Sequence, residues 1–164
     1  MSDAKSVGAL IEDCVARGVF RATATLTGPT PTNRESYRLV WFRQQEMNLE
    51  VDASRGRVTL SEVLPAITAR SKLDRQLRAW LSDRQAPELP AHRRIDPAEF
   101  HIELRNRAGS MQLSIVTLAG DTALAARKLF HLVTEIYLVF LTAAERYDWL
   151  VETFNLDPDN PRFP

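Results

Sequence analysis

Residues 121–146, DTALAARKLFHLVTEIYLVFLTAAER, carry more apolar surface than a helix on one sheet can bury. At about 100° per residue, Lys128, His131, Thr134, Glu135, Thr142 and Glu145 share one arc of roughly 120°. Leu129, Phe130, Leu132, Val133, Ile136, Tyr137, Val139, Phe140 and Leu141 cover the rest. A helix lying on a small sheet needs an apolar stripe of about 100° or slightly more. This segment therefore predicts a long helix buried on two sides. One side meets its own sheet. The other meets either the chain's own tail or a second copy of the protein. An apolar ridge left in water is a patch that soluble monomers tend to avoid. Tyr137 and Leu141, beside the polar arc, are the expected contacts of a two-fold homodimer, the commonest oligomer. The internal competitor is a short helix over residues 147–154, which offers Leu150, Val151 and Phe154 as cover.

Upstream of this helix the period of the apolar residues changes repeatedly. Val7, Leu10, Ile11, Cys14 and Val15 keep helical spacing, and Gly18 suits the position just past a helix end. Phe20, Ala22, Ala24 and Leu26 alternate with Arg21, Thr23, Thr25 and Thr27, as in a half-buried strand with its threonines outward. Residues 28–35, GPTPTNRE, read as a loop. Residues 37–43 form a second strand with bulk on both parities, which predicts cover on both faces. Met47, Leu49 and Val51, the turn at residues 53–56, then Val58 and Leu60 form a hairpin. Ser71 followed by Asp74 opens a helix whose stripe is Leu73, Leu77, Trp80 and Leu81, with Trp80 expected against the sheet. A proline-containing polar loop over residues 85–97 leads to a second hairpin. Its strands carry Phe100, Ile102 and Leu104, then Met111, Leu113 and Ile115.

The order is α-β-β-β-β-α-β-β-α. It predicts an α+β fold with a single mainly antiparallel sheet of five to six strands and helices packed on one face. Residues 1–154 form one domain and residues 155–164 a tail. The outer face is expected to show Thr23, Thr25, Glu50, Thr59, Glu103, Arg105 and Gln112.

The 164 residues are enough to bury a real core. The 21 basic and 21 acidic residues cancel, so net charge favours neither nucleic acid nor an anionic membrane. Eighteen of the basic residues are Arg, which with abundant Ala reads as GC-rich coding bias. The lone Cys14 excludes an internal disulfide and a Cys-based zinc cage, and suits a small buried hydrophobe. The start, MSDAKSVGALIEDC, lacks the pattern of a signal peptide. The apolar run of the long helix is broken by His131, Thr134 and Glu135 and is shorter than the ~20 residues of a membrane span. A cytoplasmic protein is expected.

The candidate chemistry is sparse. His131 and Glu135 stand four apart on the polar arc, the spacing of an acid/base pair or half a metal site. The plainer reading is a surface hydrogen bond or ion pair. His92, Arg93 and Arg94 form the densest basic cluster, suited to phosphate or carboxylate. Asp96 beside them offers a structural ion pair instead. His101 falls on the polar side of its strand. No glycine-rich phosphate loop, no GxSxG and no grouped metal ligands occur, so no cofactor and no metal are expected.

The element order resembles that of the class I type III secretion chaperones and related bacterial proteins, over residues 4–146. Their plan is a helix, three strands, a helix, two strands and a final helix. The resemblance implies a dimer that binds partner polypeptides without catalysis. It carries no functional residue across. This chain departs in being neutral where those chaperones are acidic, in its added strand at Val58 to Leu60, and in its longer, more apolar final helix.

The expected function is thus a non-catalytic protein-binding or regulatory module acting as a homodimer. The alternative is a small-molecule or anion-binding enzyme using the His92–Arg93–Arg94 loop or the His131/Glu135 pair.

Overall fold

The computed structural model describes residues 6–27, 33–42, 45–65, 67–157 and 159. Helix α1 spans Val7–Ala16 and is followed by four strands: β1 Ala22–Thr27, β2 Arg34–Trp41, β3 Gln45–Asp52 and β4 Arg57–Ser61. Helix α2 spans Lys72–Asp83. Strands β5 Phe100–Arg107 and β6 Ser110–Thr117 follow, then helix α3 Thr122–Glu135. The expected order is present. The sheet is antiparallel and six-stranded, in the order β1-β2-β3-β4-β6-β5.

Local chemistry sets these boundaries. The Ser6 hydroxyl accepts from Ala9 N at 3.2 Å and caps α1. Gly18 at φ 74° provides the left-handed residue after it. The Ser71 hydroxyl accepts from Asp74 N at 3.2 Å at the start of α2. Ala108 and Gly109 both hold positive φ in the β5–β6 turn, as a tight hairpin requires.

The registers align one apolar face. Leu49, Leu60, Leu113 and Leu104 form one row across the sheet, and Val51, Val58, Ile115 and Ile102 another. Tyr37, Leu39, Trp41 and Met47 extend this face toward β1. Its far side carries Glu50, Thr59, Ser114 and Glu103 in one row. Arg57 donates to Glu103 there through both terminal guanidinium nitrogens, at 2.6 and 3.2 Å.

Four local expectations need correction. The pairing Thr23↔Leu39 and Thr25↔Tyr37 places those threonines on the helix-side face, with Ala22 and Ala24 behind. All of β1 is nevertheless exposed, because β1 is an edge strand beyond the helices' cover. Strand β2 buries only Tyr37, Leu39 and Trp41, while Arg38 is exposed and Val40 half-buried. Phe42 reaches the core side by turning to φ 34°, stacking on Trp41 and, at 4.1 Å, on Tyr137. Arg43 lies outside the described residues, as does most of the expected loop 28–35. Trp80 is half-buried and packs on Phe140, ring centres 5.6 Å apart, with the Arg84 guanidinium 4.4 Å over its ring.

The fourth correction concerns the long helix. It does not continue to residue 146. After Glu135 the backbone widens into a π-helical turn, Ile136–Phe140, in which Leu141 N donates to Ile136 O at 2.9 Å. The wider turn rotates the following residues out of the phase that a regular helix would give them. Tyr137 and Leu141, the expected dimer contacts, are thereby 0% exposed within the single chain. The Tyr137 hydroxyl donates to Val63 O at 2.6 Å, and burial pushes its phenol well above the usual range. Leu138 and Val139 face solvent instead. A short 3₁₀ turn, Ala144–Arg146, leads into helix α4, Tyr147–Phe154. Leu150, Phe154 and the following Leu156 are buried, and Phe154 meets the Tyr137 ring at 5.7 Å. The chain's own end thus covers much of the second apolar side.

Candidate functional site

The polar arc of α3 and the loop at residues 85–97 meet. The Glu135 carboxylate accepts from Arg93 Nε at 2.8 Å and from Arg84 at 3.2 Å. The Lys128 ammonium donates to Ala91 O at 2.8 Å and Arg94 O at 3.0 Å, and burial lowers its pKa. Ile95 is buried beneath the loop, and its N–H donates to Arg84 O at 2.9 Å. Arg94 pairs with Asp96 at 3.6 Å, the structural ion pair expected from the sequence. His92 is exposed. The loop is clasped to α3 at both ends of its basic cluster.

This arrangement brings Arg93 to Glu135 but does not build the expected pair. Glu135 is engaged by two guanidiniums. His131, one helical turn before it, is exposed, borders α1 and forms no ion pair with Glu135 among the described residues. Partial desolvation of the ring, then Lys128, His92 and Arg127, push the His131 imidazole below its ordinary value, against the opposing pull of Glu135. His101 is exposed on the outer sheet face, 4.0 Å from Glu103. Among the described residues, no group of three or more His, Cys, Asp and Glu side chains is placed to hold a metal ion. No helix among them is long and apolar enough to cross a membrane.

His131 borders a different feature, a groove between α1 and α3 of about 540 Å³, open to solvent. Leu10 and Cys14 from α1 and Phe130 from α3 line its floor but are only 4%, 3% and 5% exposed, while Val19 beyond α1 is half-buried. Phe130 is fixed edge-on to Phe20 at 5.1 Å and to Trp41 at 5.9 Å. Cys14 is buried, and that burial raises its thiol pKa despite the nearby Arg17. The polar lining is Asp13, Arg17, Arg127, His131 and Thr134. Asp13 is paired with Arg17 at 3.0 Å. Arg127 is exposed and forms no ion pair among the described residues. Glu135, His92 and Arg93 do not line this groove.

Sequence patterning missed the groove because its two walls lie more than a hundred positions apart along the chain. The one local signal was the unusual mixture on α3, where Arg127 and His131 flank the core residue Phe130. No family model, curated protein or solved structure matches this chain.

Proposed function

We propose that this chain is a non-catalytic protein-binding module, chaperone-like in binding polypeptide without chemistry, whose docking surface is the groove between α1 and α3. The observation that carries this reading is the open groove between α1 and α3, where Asp13, Arg17, Arg127, His131 and Thr134 stand over a floor of core side chains. A drug-sized ligand is usually enclosed over most of its surface. An open trough suits a segment of another protein better. The enzyme alternative loses support because Glu135 is held by Arg84 and Arg93, and Lys128 is spent on two carbonyls. Neither is available as a general base or as an anion ligand in the groove.

The test is site-specific photo-cross-linking in the native cell. A photoreactive residue replaces Thr134 in the groove or, as control, Glu50 on the outer sheet face. A discrete polypeptide adduct at position 134 and none at position 50 is the expected result. No adduct at position 134, or the same adducts at both, overturns the reading.

A second reading, the homodimer, is supported by Leu138 and Val139, neighbouring apolar side chains that are 53% and 48% exposed. In this reading the two-fold contact lies on the π-helical turn and leaves the groove free.

A further inference from the structure

We infer that the start of α2 and the sheet rim at β5 together dock a short acidic segment of another polypeptide, through a patch of six cationic side chains. This surface is separate from the groove between α1 and α3 and does not depend on the function given to that groove.

Charges cancel over the whole chain but not locally. Residues 67–82 hold four basic residues, Arg70, Lys72, Arg75 and Arg78, and one acidic residue, Asp74. Residues 104–117 add Arg105 and Arg107 and no carboxylate. The fold brings the two stretches together. Asn106, between Arg105 and Arg107, donates to Ile67 O at 2.7 Å and to Asp74 at 3.4 Å, and Arg78 donates to Leu104 O at 3.0 Å. All six cations are exposed, whereas Asp74 is buried and held by Arg78 at 3.2 Å. The other five cations form no ion pair among the described residues. Glu62, which accepts from Ser110 opposite Arg107, offsets part of the charge at that end. Strand β5 is an edge, so cations stand on both sides of the sheet's rim.

This crowding costs stability. Like charges repel, and Lys72 opens α2, where the helix dipole disfavours a cation. Arg70 holds φ 65°, a left-handed conformation that suits Gly or Asn better. Strain of this kind clusters where a protein meets a ligand. Five of the six cations are arginines, whose planar forks bond carboxylates in pairs. The extent of the patch favours a short acidic polypeptide over nucleic acid. Lys72 to Arg78 spans about 9 Å of α2, and Arg105 to Arg107 about 7 Å of β5, the reach of a few carboxylates. With these six cations and Asp74 set aside, the remaining charge of the chain is net acidic, so a long polyanion would meet repulsion beyond the patch. Trp80 is packed on Phe140 and covered by Arg84, which leaves α2 no ring to stack on a base.

The test measures fluorescence anisotropy of a labelled peptide of alternating Glu and Gly with the full chain at low ionic strength. Its counterpart of alternating Gln and Gly should not bind. Lys72→Glu combined with Arg105→Glu should weaken the Glu peptide about tenfold. Arg21→Glu combined with Arg38→Glu makes the same change in net charge at exposed positions toward the opposite edge of the sheet, and should alter binding less than about twofold. Equal weakening by both pairs reduces the effect to overall charge and overturns the patch, as does a Glu peptide that fails to bind. A labelled DNA duplex that binds more tightly than the peptide, and is lost with Lys72→Glu and Arg105→Glu, assigns the rim to nucleic acid and overturns the acidic polypeptide. All four positions are exposed, so the melting curves should match wild type. If the Lys72→Glu, Arg105→Glu chain melts lower yet binds the peptide as wild type does, the cations serve the fold and the docking surface is overturned. None of these outcomes bears on the adduct at position 134, which tests the groove alone.

Discussion

Asp74 is 3% exposed, yet it is among the most heavily bonded side chains in the molecule. One oxygen accepts from Arg70 N at 3.1 Å and Arg78 Nε at 3.2 Å, and the other from Asn106 Nδ2 at 3.4 Å. Asn106 also donates to Ile67 O at 2.7 Å. One carboxylate therefore joins the loop before α2, α2 itself and the edge strand β5. Burial alone would raise its pKa, but the bonds from Arg70, Arg78 and Asn106 together outweigh burial and hold it below the usual carboxylate range. Asp74→Ala should cost about 2–3 kcal/mol in denaturant unfolding, since it leaves buried donors without an acceptor. The pH dependence follows from the direction of the shift. A depressed carboxyl contributes stability above its unfolded value, about 3.9, and loses it as pH falls through the lower folded value. Asp74→Asn lacks that contribution, so the gap between wild type and this variant should narrow from pH 7 to pH 3. A constant gap would mean that Asp74 is not stabilised as a charge.

Among the elements, those with a strict period were legible from the residues. Strands β3 and β4 alternate cleanly because each has one face on the core, β6 does so except at the buried Ser114, and the Ser71 cap and Gly18 stop obey local rules. What escaped was set by distant partners. Strand β1 has the alternation of a half-buried strand, but its parity follows from its pairing with β2, and no helix covers it. The π-helical turn depends on Tyr137 reaching Val63 and stacking on Phe42, contacts that no local spacing encodes. The loop at residues 85–97 likewise looked like a polar linker, yet Glu135 and Lys128 pin it to α3. This clasp makes a testable prediction. Glu135→Ala should cost about 2 kcal/mol, chiefly because the Arg84 guanidinium is left largely buried without its partner. Amide exchange should rise selectively over residues 91–95 while β3 and β6 stay protected. If protection falls evenly across the sheet, the loop is not an independently held element and Glu135 acts on global stability alone.

For the whole molecule, the question raised by the apolar helix is what remains to be covered once the chain has folded. Helix α4 and Leu156 take up much of the second side, which lowers the need for a partner copy without removing it. The largest remainder on this helix is at the π-helical turn. It is small: Leu138 and Val139 are neighbours, flanked by Thr142, whose hydroxyl is turned back onto Leu138 O at 2.8 Å. Isolated exposed apolar residues are ordinary on a protein surface, so two side chains alone would hold a dimer weakly. A dimer centred here must therefore recruit surface around the turn. A charge at Leu141 would be a poor probe, because that residue is 0% exposed and its substitution would damage the fold before it reported on assembly. Leu138→Glu is the informative change: Leu138 is 53% exposed, and the variant should keep the wild-type melting curve to within about 0.5 kcal/mol. Under the homodimer reading, wild type sediments as a dimer at tens of micromolar and Leu138→Glu sediments as a folded monomer. A wild-type monomer at that concentration ends the homodimer reading and leaves α4 as the sufficient cover of the helix. A dimer that survives Leu138→Glu moves the interface away from the turn, and the uncharged edge strand β1, ATATLT, exposed along its whole length, becomes the surface to substitute next.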